Sequence, residues 1–279
     1  LAGTDWPADR MEVIVVDNGS TQADCLEGLA QAQAQGRITV IRCDEPFNFS
    51  RLNNIAARST EAELLVFLNN DTTARRPDWL RILAAHALQP DVGAVGPKLL
   101  YPDETVQHGG LVLGMEGGAV NAFVGLGMAQ GGYAGLANLT REISAVVGAC
   151  LCIRREVFLS VGGFNEALAV GFNDMVLCMD VLASQLRNVF VAEPLFFHLE
   201  YVSRGRDTTP EKVRRLAEEH AFTTRLHPDL FLRDPYYSAN LSKRVLFMLP
   251  GSAKEPPRLS PGPASFRDRL PREIELVGT

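Results

Sequence analysis

The run Met11-Glu-Val-Ile-Val-Val16 is stopped by Asp17-Asn-Gly-Ser20. A short, β-branched apolar run bounded by turn formers is the pattern of a strand buried on both faces. Working outward from it, strands and helices alternate. The spacing predicts a helix from about Gln22 to Gln35, a strand from Ile38 to Arg42, and a helix over residues 50–59. A third strand is expected from Leu64 to Leu68, then a helix from Pro77 to Leu88 with proline in its first turn. Strands separated by helices imply right-handed crossovers and an α/β fold whose mostly parallel central sheet is flanked by helices. That architecture gathers the polar residues at the strands' carboxyl ends around a ligand crevice.

The pattern changes after Val92. Val92 to Leu100 is strand-like, and residues 109–135 hold ten of the 24 glycines, which predicts loops able to close over a ligand, or a linker. Ile143 to Ile153 is expected as one buried strand, Phe172 to Ser184 as a helix, and Asn188 to Ala192 and Leu195 to His198 as two extended pieces. Thr209-Pro210-Glu211 starts an amphipathic helix that runs to about Leu226. Residues 250–279 are rich in Pro, Gly and Ser at their start and are expected as tail or linker, leaving 1–249 as one domain.

Composition excludes several classes. With 279 residues, 46% hydrophobic and 22% charged, the chain is neither disordered nor a membrane bundle. A net charge of −6 argues against nucleic acid held by a generally basic surface. No apolar run reaches the roughly 18 residues that span a bilayer, and the Leu1-Ala-Gly-Thr-Asp-Trp-Pro start has no signal-peptide pattern. The five cysteines lack zinc spacing, and Cys150, Cys152 and Cys178 sit among apolar neighbours as buried free thiols would in a reducing compartment. The expected location is the cytoplasm, with peripheral contact at the inner face of the membrane if the substrate is lipid-linked.

Three carboxylate-bearing loops each end an apolar run: Val16-Asp17-Asn-Gly-Ser20, Phe67-Leu-Asn-Asn-Asp71-Thr72 and Phe172-Asn-Asp174. Turn chemistry accounts for any one of them. On a parallel sheet, however, loops at strand ends converge on one edge, so the set points to a shared site facing Asp17 and Asp71. A phosphatase of the haloacid-dehalogenase type would need an acid two residues after Asp17, where Gly19 stands. A dinucleotide oxidoreductase would need GxGxxG after a first strand, and none is present.

Val13-Ile-Val-Val-Asp17-Asn-Gly-Ser-Thr21, followed by Leu65-Val-Phe-Leu-Asn-Asn-Asp71-Thr72, resembles family 2 glycosyltransferases of the GT-A fold. The resemblance continues in family order through Val92-Gly-Ala-Val-Gly-Pro-Lys-Leu-Leu-Tyr-Pro102, Val147-Gly-Ala-Cys150, Gly162-Gly-Phe-Asn-Glu166, Phe172-Asn-Asp174, His198-Leu-Glu200 and Ser203-Arg-Gly205. It covers about residues 6–245 and is nearest to rhamnosyltransferase-like enzymes of bacterial surface polysaccharides. It implies a GT-A domain with a small antiparallel acceptor-side subregion, and it begins after the family's first strand.

The resemblance also implies roles. Asp17, with Asn18, matches the contact to the donor's nucleobase. Asn69-Asn70-Asp71 matches the DxD-type motif, whose last carboxylate binds Mg²⁺ or Mn²⁺ on the donor diphosphate, and His198 matches a histidine that completes the metal site. Asp174 matches the general base. Asn54 is placed among the nucleotide contacts, helix capping being the other reading of Asn53-Asn54. Glu200 and Arg204 read either as a surface ion pair or as a polar loop near the diphosphate. The implied reaction is inverting transfer from a nucleoside-diphosphate sugar to a saccharide or lipid-linked acceptor. The alternative is a catalytically silent module within a larger polysaccharide-assembly protein. Departures from the family pattern are Asn173 in place of an acid, Val176 where an aspartate is expected, Asp180 at a usually basic position, and Gln185-Leu186 in place of a Gly-aromatic pair.

Overall fold

The computed structural model describes residues 1, 3–115, 118–199 and 209–244. Glu200, Arg204 and the 250–279 tail lie outside the described residues.

The first half alternates as the sequence predicts. Strands β1 (Ile14–Asp17) and β2 (Thr39–Arg42) pair in parallel across helix α1 (Ala23–Ala34), with Asp17 opposite Arg42. Helix α2 (Phe49–Arg58) starts at Asn48, whose side chain accepts the Arg51 N–H. Strands β3 (Leu64–Leu68) and β4 (Thr72–Ala74) precede helix α3 (Trp79–Ala87), and β5 (Val92–Leu100) is buried along its whole length. Helix α3 buries Trp79, Leu80, Leu83, Ala84 and Ala87 on one stripe. Trp79 packs edge-on against Phe196 at 5.1 Å and donates its indole N–H to Thr4 Oγ1. Each large side chain on that stripe contributes about 1.5–3 kcal/mol by leaving water.

The remaining elements are β6 (Val106–His108), β7 (Leu111–Met115), β8 (Gly118–Asn121), β9 (Arg141–Ile143), β10 (Cys150–Arg154), α4 (Arg155–Ser160), α5 (Asn173–Ala183), β11 (Arg187–His198), α6 (Pro210–Leu226) and α7 (Pro228–Leu232). A seven-stranded sheet runs β3-β10-β5-β11-β4, with β6 on β5 and β9 on β11; β1 and β2 form a separate two-stranded sheet. The fold is α/β as expected, but the large sheet is mixed. Among the described residues β5 and β11 are its only neighbours paired in parallel, while β10 runs antiparallel to both β3 and β5. The antiparallel β10 has a consequence for the site, because its first residues lie beside the last residues of β3.

Three element expectations are corrected. The glycine-rich 109–135 stretch is not merely loop: it contains the β7–β8 hairpin and a 3-10 turn at Tyr133–Asn138. Gly114 sits at φ +73, and a Cβ there would lie 2.0 Å from the Phe231 carbonyl oxygen, so this glycine marks close packing of α7 on β7. The single strand expected over Ile143 to Ile153 is two strands, because residues 144–149 leave the sheet to meet other elements. Ser144 Oγ donates to Asp234, and the Gly148 N–H donates to Asp174. Conversely, the pieces on either side of Pro194 are one strand, with register shifts against β5 absorbing the proline.

The main core packs Phe67, Phe158 and Phe164 with ring centroids 4.8–5.4 Å apart beneath β3 and β10. Val176 lies in this core, 1% exposed, where an aspartate would be costly. Asp180, two turns from the α5 start, meets His227 at 2.7 Å. All five cysteines are free, and burial pushes the Cys152 thiol up to about 12, leaving it protonated and unreactive. No helix among the described residues is long and apolar enough to cross a membrane.

Candidate active site

Asp71 and His198 meet at the edge formed by β4 and β11. The β4–β11 pairing sets His198 opposite Thr72, and the Leu199 N–H donates to the Asp71 carbonyl at 2.9 Å. This register brings Asp71 Oδ1 to 3.1 Å from His198 Nε2, with 14% and 12% of the side chains exposed. Asp71 Oδ1 is nevertheless buried and accepts no hydrogen bond. Buried carboxylate oxygens without a partner are uncommon and costly. An imidazole nitrogen and an orphaned carboxylate oxygen aimed at one point are a donor pair that fits a divalent cation. Among the described residues there is no group of three or more His, Cys, Asp or Glu that could hold a metal.

Asp174 approaches from the helix side. It lies in the first turn of α5, behind Phe172, which takes the left-handed conformation at φ 62. Its Oδ2 accepts the Gly148 N–H at 2.6 Å and its Oδ1 accepts the Met175 N–H at 2.7 Å. Gly148 packs closely in this approach: a Cβ there would stand 3.3 Å from the Asp174 Cβ, a tight contact. Burial raises the Asp174 pKa above the ordinary aspartate value, and the N–H groups of Gly148 and Met175 offset only part of that rise. Asp174 is linked to the Asn69–Asp71 loop through two consecutive residues. Gly148 holds the carboxylate, and the next carbonyl, Ala149, accepts the Asn69 N–H at 3.0 Å.

The segment leading into Asp174 is clamped by α6. Glu219, buried, accepts the N–H groups of Val170 and Gly171 at 3.0 Å each, and His220 packs on Phe172 at 5.6 Å between ring centroids. Glu219 does not stand out in sequence, and Gly148 does so only as part of Val147-Gly-Ala-Cys150, with nothing there to mark it as the partner of Asp174. Glu219 is one acid on an amphipathic helix, and Gly148 lies in a run otherwise read as strand.

Asp17 and Asn18 form their own cluster at the carboxyl ends of β1 and β2. Asp17, 5% exposed, accepts the Ser20 N–H at 2.9 Å and meets Arg42 Nη1 at 2.5 Å. These hydrogen bonds, Ser20's foremost, hold its carboxyl below the ordinary aspartate range. Asn18 donates both amide hydrogens, to the carbonyls of Cys43 and Glu45. Asn70 is exposed in the turn between β3 and β4. The nucleotide role expected for Asn54 does not fit its surroundings. Its amide donates to Phe164 O and Glu166 Oε1, and its carbonyl accepts the Phe164 N–H. With every polar atom used inside the fold and 3% of the residue exposed, Asn54 ties α2 to the 163–166 turn.

A mixed α/β sheet with carboxylates at its strand ends, one of them beside a histidine, matches what known proteins show. Residues 3–162 match the family described as glycosyl transferase family 2, and the chain belongs to that family. The matched span includes Asp17 and Asp71 and ends before Asp174 and His198. The chain is 41% identical over 235 residues to the uncharacterized protein y4gI of Sinorhizobium fredii (strain NBRC 101917 / NGR234), covering 84% of this chain and 26% of that protein. It is 39% identical over 245 residues to the O-antigen biosynthesis protein RfbC of Myxococcus xanthus, covering 87% of this chain and 18% of that protein. The chain therefore spans about a quarter or less of the length of these relatives. Among solved structures, GalNAc-T7 with UDP, GalNAc and Mn²⁺ superposes with a TM-score of 0.61 at 13% identity, over 82% of this chain and 46% of that one. At that identity the likeness shows the fold alone.

Proposed function

We propose that this chain transfers a sugar from a nucleoside-diphosphate donor to a hydroxyl of a saccharide or lipid-linked acceptor, with inversion at the anomeric carbon. The observation that carries the reading is the Asp71–His198 pair. It presents two lone-pair donors to one point at the sheet edge, and Asp174 is tied to the same loop through Gly148 and Ala149. Asp71 and His198 would hold a Mg²⁺ or Mn²⁺ ion, with donor oxygens as further ligands. When bound, such an ion offsets the negative charge that gathers on a departing diphosphate. Manganese and a nucleoside diphosphate accompany the similarly folded GalNAc-T7, which supports this assignment.

Asp174 serves as the base. A sugar hydroxyl is a poor nucleophile, and a carboxylate that takes its proton as it attacks lowers the barrier. The burial that raises the Asp174 pKa makes its carboxylate a stronger proton acceptor than an exposed aspartate. Two fixed N–H donors keep the carboxylate in one orientation. Asp17 and Asn18 line the carboxyl end of β1, where the donor's base would lie. The likeness to an O-antigen biosynthesis protein supports a role in surface polysaccharide synthesis.

The test is calorimetric titration with UDP, GDP and dTDP, with and without Mn²⁺, followed by nucleotide release from the matching sugar donor. Metal-dependent binding of one nucleotide is the expected result. Binding without turnover on any acceptor would instead support the silent-module reading, and binding of none would overturn the donor site in this chain.

A further inference from the structure

The sequence singles out His198 but not the residue that orients it. His198 Nδ1 lies 2.8 Å from Gln107 Oε1, and Gln107 Nε2 donates to the His198 backbone carbonyl at 3.2 Å. The second contact settles the first. A carbonyl oxygen only accepts, so the Gln107 atom facing it is the nitrogen, and the atom facing the imidazole is the oxygen. An amide oxygen also only accepts, so Nδ1 must carry a proton. The Nε2 edge, which faces Asp71 Oδ1 at 3.1 Å, is left as the coordinating edge of the ring.

Gln107 is itself fixed. It is 6% exposed, and it lies on β6, whose pairing with β5 places His108 opposite Leu99. An amide held by a strand and gripping both the ring and the backbone of His198 prevents the ring from turning its other nitrogen toward Asp71. We propose that Gln107 is the positioning residue of the cation site: it fixes the His198 tautomer and ring plane so that Nε2 and Asp71 Oδ1 converge on one divalent ion. This rests on the cation reading of Asp71 and His198 made above. Partners of this kind, hydrogen-bonded to a metal-ligating histidine, typically account for 10–100-fold in metal affinity.

The experiment uses the full chain with ¹⁵N-labelled histidine, and Mn²⁺ alone as the probe, counted as free ion by electron paramagnetic resonance. The chain is compared with its Gln107→Leu, Gln107→Glu and His198→Ala variants. In the parent chain, the His198 Nδ1 resonance is expected in the protonated range. Gln107→Leu should lose that signature and bind Mn²⁺ about 10–100-fold more weakly. Gln107→Glu restores an acceptor and should keep both the signature and affinity within a few-fold of the parent. A parent Nδ1 without a proton, or Gln107→Leu binding Mn²⁺ as the parent does, overturns the proposal. If the parent and His198→Ala bind Mn²⁺ equally, the cation reading fails. The ring spectrum then still decides by itself whether Gln107 sets the tautomer.

Discussion

Asp174→Asn separates chemistry from folding at the proposed base. The carboxylate accepts two N–H groups, from Gly148 and Met175. Asparagine keeps one oxygen, so one charge-assisted hydrogen bond is lost, a cost of about 1.5–3 kcal/mol. Burial opposes that loss, since it raises the Asp174 pKa above 3.8. With the folded value above the unfolded one, the native state holds its proton more tightly. Stability conferred by the protonated form is therefore complete below the unfolded value and is lost as pH rises through the folded one. At neutral pH the parent chain carries the full cost of a buried charge, and the amide does not. The two effects oppose, so the net change in stability should stay within about 2 kcal/mol, and the variant should fold. Removing the base should slow transfer by about 10²–10⁴, or roughly 2.7–5.4 kcal/mol of barrier. The rate of nucleotide release in the presence of acceptor gives the turnover, calorimetry the donor affinity, and urea titration the stability. The parent's acid limb should lie above the ordinary aspartate range, as the raised pKa requires. Turnover above a tenth of the parent's, or a donor affinity that falls in step with the rate, would refute the base assignment.

Three further changes probe separate links. Asp71→Ala should abolish the Mn²⁺ dependence of nucleotide binding, a loss of at least about 100-fold; calorimetry showing an unchanged metal effect would remove Asp71 from the site. Glu219→Ala leaves the Val170 and Gly171 N–H groups without their acceptor, which should cost about 2–4 kcal/mol in urea titrations and reduce turnover, with Glu219→Gln intermediate in both. Gln185→Gly should stabilise the chain by about 0.5–1 kcal/mol. Gln185 sits at φ 65 just past α5, where its N–H meets the Leu182 carbonyl and the Leu186 N–H meets Val181. This is a helix stop that favours glycine, so a lower melting temperature would show that the glutamine side chain contributes a contact of its own.

How far the sequence discloses this molecule follows from the range of the interactions concerned. Strands β3 and β5 were legible to the residue because alternation and apolar runs are local signals of burial, and α3 because its stripe recurs at helical spacing. The β7–β8 hairpin was not. Its glycines read locally as loop, whereas Gly114 answers to the backbone of Phe231, far along the chain. The Pro194 break failed for a related reason. Proline stops a strand by its own chemistry, but parallel pairing with β5 and a register shift carry β11 past it to His198. In the site, carboxylates at strand ends were visible as motifs. Their supports, Gln107, Gly148 and Glu219, act only through partners that the fold brings in.

Strand β1 shows the opposite case, where the sequence says more than the pairing. Ile14, Val15 and Val16 are apolar on both faces, the mark of an interior strand with a neighbour on each side. All three are nevertheless only half-buried, and among the described residues β1 pairs with β2 alone while β3 pairs with β10 alone. Other contacts hold the two sheets in one body: Glu12, just before β1, accepts the hydroxyl of Thr60, just before β3, at 2.6 Å, and α2 packs beneath β1 with Ala57 in the core under β3. The starts of β1 and β3 are thus a side-chain bridge apart rather than a backbone hydrogen bond apart. The apolar β1 sequence is matched to more burial than it receives there, so Asp17 rests on a two-stranded sheet, whereas Asp71 and His198 rest on the β4–β11 pairing of the seven-stranded sheet and Asp174 on α5.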